Sequence, residues 1–352
     1  MRTDNLIYRS GKGLSHFFQN KPLNSSTEIR LTRLCTQRCK QCSVYERQTL
    51  PASMDLQRFR FIAKKLKAYG AHIGFISGGE ATLVPDLIPI LVLSKNLFPV
   101  ATTLVTGLYN ETAKIKKIAN VCLTNNINIQ TSLDATGPLG DYLRGAKNFS
   151  DTVLEHMDMI NAMRQNSRSL LYANVVINNL NLEQVPELVE NIKTRGWKAT
   201  IGMYHHLTGT TREEDDLKLI PGKRVDALLD YLDGNPDILN LNAYIRGIKP
   251  YIEKQKSTEC PFVAAKFSMT RSTIMENGDL HLCWGGPIGN LFEQDLEDIF
   301  SSKPYQQRLK QYAQCRGCWT TCYTQRYLLL HPRTLNELIN NVAKTIKLKR
   351  NT

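Results

Sequence analysis

The chain has 352 residues, of which 42% are hydrophobic, 22% charged and 8% aromatic. This composition excludes a disordered protein, and the length allows one large core or two smaller ones. The net charge of +13 is uneven, because residues 303–352 carry ten Lys or Arg and one Glu, a net +9. Such a basic end is either a solvated surface or an attraction for nucleic acid, anionic lipid or an acidic or phosphorylated substrate.

The expected location is the cytoplasm. Met1 and the residues after it are not followed by the apolar run of a signal peptide. The most apolar stretch, residues 87–105, is interrupted by Pro89, Lys95 and Pro99, so we predict no transmembrane segment. Nine cysteines, an odd number, favour metal binding or catalysis in a reducing compartment over a disulfide framework.

Short β-rich runs alternate with helical periodicity between residues 29 and 204. This alternation predicts an α/β fold with a parallel sheet, open or curled as a barrel, and sites at the carboxyl ends of its strands. The predicted strands are Ile29–Leu34, His72–Ser77, Val100–Thr106, Ile127–Leu133, Leu170–Ile177 and Ala199–Tyr204. The predicted helices run from Met54 (capped by Ser53) to Gly70, after Pro85, from Glu111, over Ser150–Arg164 and over Leu182–Arg195.

Beyond residue 207 the pattern changes to helical segments that lead to Cys260. A hairpin is predicted next, with strands Arg271–Met275 and Asp279–Cys283 joined at Glu276-Asn277-Gly278. A final amphipathic helix is predicted from Leu335, with its apolar stripe docked on the body rather than on a membrane.

The first motif with chemical meaning is Cys35-Thr-Gln-Arg-Cys39-Lys-Gln-Cys42, in the loop after the first predicted strand. Three thiolates at this spacing can hold three corners of an iron–sulfur cube and leave one iron for a non-protein ligand. The alternatives are a structural zinc site or a chance grouping, because close cysteine spacing alone does not select the metal.

The second motif, Gly78-Gly79-Glu80, directly follows the second predicted strand. Paired glycines let the backbone approach a ligand closely. Together the two motifs resemble the radical S-adenosylmethionine (radical SAM) superfamily. The resemblance implies a 4Fe-4S cluster whose open iron is chelated by S-adenosylmethionine, with the glycine pair near the amino group of that cofactor. It also implies reductive cleavage to a 5′-deoxyadenosyl radical, hydrogen abstraction from a substrate, and a flavodoxin- or ferredoxin-type electron donor.

Positions at further strand ends are similar to the superfamily's cofactor-binding residues. The residues that the resemblance assigns to S-adenosylmethionine are Gly78, Gly79, Glu80, Thr106, Ser132, Asp134 and Arg144. The alternative for Ser132 and Arg144 is a structural serine and a surface arginine. The chain departs from the family at Gln41, where an aromatic residue is common, and at Ala81, where proline is usual.

Five cysteines remain near the C-terminus, and their order resembles the SPASM/twitch extension of radical SAM enzymes. The resemblance implies one auxiliary 4Fe-4S cluster. The candidate ligands are Cys260, Cys283, Cys315, Cys318 and Cys322. The favoured set omits Cys322, which would be a substitute ligand or a free catalytic thiol that donates hydrogen. A zinc knuckle is the alternative.

The resemblance thus implies a partial (β/α)6 TIM-like barrel with a small C-terminal α+β iron–sulfur extension. We expect an N-terminal segment (1–28), the barrel (29–206), a helical connection (207–257), the auxiliary region (258–325) and a basic C-terminal helix (326–352). The expected activity is natural-product, peptide or sugar modification, as an oxidoreductase, epimerase or modifying enzyme. An RNA-modifying enzyme and a non-enzymatic iron–sulfur or zinc protein are the alternatives.

Overall fold

The computed structural model describes residues 23–44, 53–206, 211–254, 269–283, 285–315 and 317–329, together with 334, 337 and 339. Within these ranges nine strands form one sheet in the order β6-β5-β4-β3-β2-β1-β7-β8-β9. The strands are β1 (Leu23–Arg30), β2 (Ile73–Ser77), β3 (Ala101–Val105), β4 (Asn128–Ser132), β5 (Leu171–Ile177), β6 (Lys198–Met203), β7 (Met269–Ile274), β8 (Asp279–His281) and β9 (Gly289–Asn290).

The helices of the described ranges fall between these strands and after them. They are α1 (Leu56–Tyr69), α2 (Leu87–Leu97), α3 (Thr112–Thr124), α4 (Gly137–Arg144), α5 (Phe149–Ala162), α6 (Val185–Thr194), α7 (Lys223–Leu232), α8 (Asn242–Lys254), α9 (Leu296–Ser301), α10 (Lys303–Ala313) and α11 (Thr321–Leu329). No helix of the described residues is long and apolar enough to cross a membrane.

Strands β1 to β6 are parallel, stand in chain order and are joined by helical crossovers, which confirms the predicted α/β class. The C-terminal extension continues the same sheet. Strand β7 pairs in parallel with the free edge of β1, and β8 and β9 follow antiparallel. The predicted hairpin is confirmed, with Gly278 at φ 87° in its turn.

The two faces of the sheet differ in chemistry because side chains alternate along each strand. One face is apolar and packs against the helices, as Ile29, Ile76 and Leu104 illustrate with exposures of 1% or less. On α1, Phe59 and Leu66 are buried, at the spacing of an amphipathic helix. The opposite face, called the inner face below, carries many polar side chains. It lies beneath the loops at the carboxyl ends of the strands.

Two details of the first strand–helix unit were predicted wrongly. Strand β1 ends at Arg30, so residues 31–34 already belong to the following loop. Helix α1 is capped by Asp55, whose carboxylate accepts from the N–H of Arg58 at 2.8 Å. The Ser53 hydroxyl instead donates to Thr32 at 3.0 Å. A carboxylate also interacts favourably with the positive end of the helix dipole, which favours Asp55 over Ser53.

Helix α4 was not predicted from the sequence. It spans only eight residues, has Pro138 in its first turn, and ends at Gly145 with φ 56°. Proline at a helix start and glycine after its end are the usual terminal signals, so the sequence did carry them. The last residue of this helix is Arg144, one of the predicted cofactor-binding residues.

Most of the predicted C-terminal helix lies outside the described residues. Glu337 is described, and its carboxylate accepts from the N–H of Ala243 at 2.8 Å and pairs with Arg246 at 3.3 Å. The C-terminal region therefore contacts the N-terminus of α8, where a negative charge is stabilising.

Candidate active site

The three clustered cysteines lie on the cysteine loop, residues 31–44, which follows β1. Cys39 is buried, and Cys35 and Cys42 are half-buried. Burial, together with the nearby negative charges of Glu80, Cys39 and Cys42, raises the pKa of Cys35 to about 12. Metal ligation requires thiolates, so ionising these three neighbouring thiols together calls for a positively charged partner.

The Gly78-Gly79-Glu80 turn, called the GGE turn below, is bonded to the cysteine loop. The N–H of Gly79 donates to the carbonyl of Thr32 at 2.6 Å, and that of Glu80 donates to the carbonyl of Leu34 at 2.7 Å. A Cβ atom on Gly79 would lie 2.3 Å from the Leu34 oxygen, and one on Gly78 would lie 2.9 Å from the Thr32 oxygen. Glycine is required at Gly79 because the two backbones approach this closely.

The side chain of Glu80 points into the protein and is 1% exposed. Its carboxylate accepts from the hydroxyl of Thr106 at 2.6 Å, from the N–H of Gly107 at 2.7 Å and from the N–H of Thr82 at 3.0 Å. The predicted pair Glu80 and Thr106 therefore joins the loops after β2 and β3 and stabilises the carboxyl edge.

A buried ion pair joins two further predicted residues, Asp134 and Arg144, at 2.7 Å. Gln41 of the cysteine loop donates to the same carboxylate oxygen at 3.1 Å. The Nη1 atom of Arg144 lies 4.0 Å from the sulfur of Cys39. Burial raises the pKa of Cys39, and the positive charge of Arg144 opposes that rise. The arginine thus favours the thiolate form at Cys39.

The C-terminus of α4 also holds the cysteine loop through its backbone. The N–H of Arg38 donates to the carbonyl of Arg144 at 3.2 Å, and that of Lys40 donates to the carbonyl of Leu143 at 2.9 Å. A Cβ on Gly145 would lie 2.3 Å from the Arg38 oxygen, and its φ is 56°. Helix α4 can approach the cysteine loop because a glycine ends it.

Ser132 ends β4 and is half-buried, aligned with Asn174 of β5. Strand register places it on the polar inner face of the sheet, below the cysteine loop. Polar side chains that share this face include Glu28, Arg30, Ser77, Gln130, Ser132, Asn174, Thr200 and Arg271.

Sequence reasoning missed a charge network on this face. Glu28 pairs with Arg271 at 2.7 Å and with Arg30 at 3.2 Å, and the Ser77 hydroxyl donates to it at 2.8 Å. Burial alone would raise the pKa of Glu28, but the two arginines outweigh it and hold that pKa well below its usual range. The only sequence signal was a Glu-x-Arg pair, which places both charges on one face of a strand.

The residues around the cysteine loop fit a metal cluster with a polar cofactor beside it. Among the described residues, Gln41 Oε1, Ser43 Oγ and Arg144 Nε are buried without a hydrogen-bond partner. Such atoms are costly unless a ligand or water satisfies them. Within the same residues no group of three or more His, Cys, Asp or Glu side chains is placed to hold a single metal ion. The loop therefore offers three thiols and unpaired polar groups in one place.

In the C-terminal region, three of the predicted cysteines are neighbours, with Cys315 and Cys318 in the segment before α11 and Cys322 in its first turn. Burial raises the pKa of Cys318, and the charges of Cys315 and Cys322 add to that rise, so the three thiols are neighbours. Cys322 is exposed, whereas the other two are half-buried. Cys260 lies outside the described residues. The remaining cysteine, Cys122, is 0% exposed and belongs to the core.

Cys283 follows β8 and is tied to the helices that flank this group. Its N–H donates to the hydroxyl of Tyr312 on α10 at 3.0 Å. The hydroxyl of Tyr323 on α11 donates to the carbonyl of Leu282 at 2.6 Å. The hairpin end is therefore tied to α10 and α11, the two helices between and within which Cys315, Cys318 and Cys322 lie.

Two family models match the chain. One, described as the radical SAM superfamily, matches residues 29–218. The other, SPASM, described as an iron–sulfur cluster-binding domain, matches residues 267–319. The second range contains Cys283, Cys315 and Cys318 but neither Cys260 nor Cys322.

Three similar proteins illustrate the range of relatives. The sporulation killing factor maturation protein SkfB of Bacillus subtilis is 24% identical over 49% of this chain, and the match spans only 40% of SkfB. The GTP 3′,8-cyclase of Shewanella denitrificans is 24% identical over 80% of this chain and 84% of its own. The structure of Streptococcus suis SuiB bound to precursor peptide SuiA superposes with a TM-score of 0.64 and 19% identity, over 86% of this chain and 71% of that one.

Proposed function

The chain belongs to the radical SAM superfamily, and we propose that it abstracts hydrogen from a peptide substrate. S-adenosylmethionine and iron–sulfur clusters are its cofactors. When bound, they supply a 5′-deoxyadenosyl radical that abstracts hydrogen from carbon. The names of SkfB, a maturation protein, and of SuiB, crystallised with a precursor peptide, support a peptide over a sugar.

One observation carries the assignment of the first cluster to Cys35, Cys39 and Cys42. The loop that bears them is held between the GGE turn, at 2.6 and 2.7 Å, and the C-terminus of α4, at 2.9 and 3.2 Å. In this proposal Gly78, Gly79, Ser132 and Arg144 line the S-adenosylmethionine site, while Glu80, Thr106 and Asp134 keep the surrounding loops in place.

We further propose that Cys260, Cys283, Cys315 and Cys318 hold one auxiliary cluster. The match to an iron–sulfur domain over residues 267–319 supports three of these four. Cys322 is left as an exposed thiol or a substitute ligand. A flavodoxin- or ferredoxin-type protein would supply the electron. Free thiols at every described cysteine support a reducing, cytoplasmic compartment.

Anaerobic reconstitution with iron and sulfide tests the proposal. With dithionite, the wild-type protein should convert S-adenosylmethionine to 5′-deoxyadenosine and methionine. Cys39→Ala should abolish this conversion, because a cube that lacks one thiolate is lost or misligated. Cys122→Ala is the matched control, since this buried thiol belongs to the core of α3. Unchanged turnover in Cys39→Ala would contradict the assignment.

The substrate class is tested by isotope transfer. A peptide pool made from deuterated amino acids should pass deuterium into 5′-deoxyadenosine in the wild-type reaction and not in the Cys39→Ala reaction. Transfer from deuterated sugars but not from peptides would contradict the peptide assignment and leave the superfamily chemistry standing.

A further inference from the structure

A segment after β6 reaches back to the cysteine loop, although β6 and β1 are separated by four strands in the sheet. We call residues 211–216 the acidic strap. Thr211 forms an isolated antiparallel bridge with Cys42. The N–H of Arg212 donates to the carbonyl of Gln41 at 2.9 Å. The strap is thus bonded to the loop at the third cysteine and at the residue before it.

Three elements hydrogen-bond to different stretches of the backbone of the cysteine loop. The GGE turn bonds to Thr32 and Leu34, and α4 bonds to Arg38 and Lys40. Neither set reaches the last cysteine of the motif. The strap bonds at residues 41 and 42, so it completes the support of the loop where the other two elements end.

Tyr204, directly after β6, supports the backbone of the acidic strap. This residue is 4% exposed. Its hydroxyl donates to the carbonyl of Arg212 and accepts from the N–H of Glu214, both at 2.7 Å. A single hydroxyl therefore fixes the middle of the strap through two backbone groups.

The four consecutive acids of the strap are divided between two lysines. Lys40, inside the cysteine motif, pairs with Glu214 at 3.1 Å and with Asp216 at 3.3 Å. Lys218 instead pairs with the alternate acids, Glu213 and Asp215, at 3.0 and 2.7 Å. Of the four acids, Glu214 and Asp216 are therefore the two whose ion pairs connect the strap to the cysteine loop in the described part of the chain.

We propose that the acidic strap, braced by Tyr204 and paired with Lys40, is a positioning element that holds Cys42 in place for cluster binding. The proposal rests on the proposed function for the identity of the metal group. The protein itself sets the position of the Cys42 thiol, so this position can be measured in the cluster-free protein.

The first test uses Tyr204→Phe, with Tyr231→Phe as the matched control. The Tyr231 hydroxyl donates to the carbonyl of Pro186 at 3.3 Å, on α6. In the cluster-free protein, alkylation of Cys42 by iodoacetamide, located by mass spectrometry, should be about fivefold faster or more in Tyr204→Phe, because the variant loses two hydrogen bonds and each contributes roughly a factor of five. Alkylation of Cys35 should not change. Equal rates at Cys42 in the two variants would overturn the proposal.

The second test uses two double variants with the same loss of charge. Glu214→Gln with Asp216→Asn removes the partners of Lys40, and Glu213→Gln with Asp215→Asn removes those of Lys218. Since partly exposed ion pairs contribute little, the first should raise Cys42 alkylation about two- to fivefold and the second should leave it near wild type. Equal effects of the two variants would overturn the role of Lys40.

The reconstituted protein provides a third readout. Iron release to a chelator should be faster in Tyr204→Phe and in the Glu214/Asp216 variant than in their controls. A wild-type protein that holds iron but forms no 5′-deoxyadenosine would contradict the proposed function and leave this inference intact. Unchanged alkylation and unchanged iron release would contradict the inference alone. If Tyr204→Phe does not fold, the double variants still decide the outcome.

Discussion

Arg271 on β7 and Glu28 on β1 form an ion pair at 2.7 Å that joins the C-terminal extension to the barrel sheet. The two side chains are only 12% and 13% exposed, and the guanidinium of Arg271 also lies 4.7 Å from the ring centre of Phe75. Arg30 shares the same carboxylate at 3.2 Å. One carboxylate therefore faces two largely buried cations on the inner face of the sheet.

Glu28→Gln should lower the free energy of unfolding by about 3 kcal/mol at pH 7, because it leaves two largely buried arginines without a counter-charge. Urea unfolding followed by circular dichroism measures this change. Glu183→Gln is the control, since its pair with Arg224 is more than half exposed. That variant should lose at most about 1 kcal/mol. Similar losses in both variants would contradict the structural account.

The effect of Glu28 should also depend on pH. The arginines hold its pKa well below the usual 4.5, so the unfolded chain binds this proton more readily than the folded protein. The stabilisation is therefore fully present above pH 4.5 and is lost progressively as the pH falls toward the folded-state value. The stability difference between wild type and Glu28→Gln should be constant from pH 7 to 5 and smaller at pH 3. A difference that does not shrink at pH 3 would refute this linkage.

Gly79→Ala should disrupt the first cluster site. Its Cβ would lie 2.3 Å from a backbone oxygen of the cysteine loop, and neither backbone can yield without breaking the bonds that join them. The iron content after reconstitution should fall by about four irons per chain, the content of one 4Fe-4S cube. Gly202→Ala is the control, because the nearest atom to its Cβ is 3.5 Å away, an ordinary contact. Full iron content in Gly79→Ala would show that the close approach is dispensable.

Iron analysis should give about eight irons per chain, as expected for two four-iron cubes. A triple variant with alanine at Cys35, Cys39 and Cys42 should keep about half, because the four proposed ligands of the auxiliary cluster are unchanged. Zinc in place of iron in that variant would show that the auxiliary region is a zinc site.

Cys322→Ala separates the two roles proposed for this thiol. Because the favoured ligand set is complete without Cys322, and because its side chain is exposed, we expect unchanged iron and unchanged cofactor cleavage. If the thiol returns hydrogen to a substrate radical, deuterium uptake from heavy water at a substrate carbon should disappear in the variant. Iron loss and partial bleaching of the cluster absorbance would instead identify Cys322 as a ligand.

Several local features of the protein could be predicted from the sequence. The spacing of Cys35, Cys39 and Cys42, the glycine pair after β2 and the Glu276-Asn277-Gly278 turn each depend on a few neighbouring residues and their backbone preferences. The alternation of apolar runs predicted six parallel strands, because strand and helix periods differ. By itself the sequence thus determined the α/β class, the cysteine loop and its place at the carboxyl edge.

What the sequence left open depends on contacts between distant segments. Arg271 and Glu28 are 243 residues apart, and Gln41 and Asp134 are 93 apart, so no local pattern relates them. The side chain of Ser53, predicted as the helix cap, likewise meets a distant residue, because its hydroxyl donates to Thr32. Only the tertiary structure decided that α4 and the acidic strap support the cysteine loop, because strand register and crossover packing set which distant groups meet.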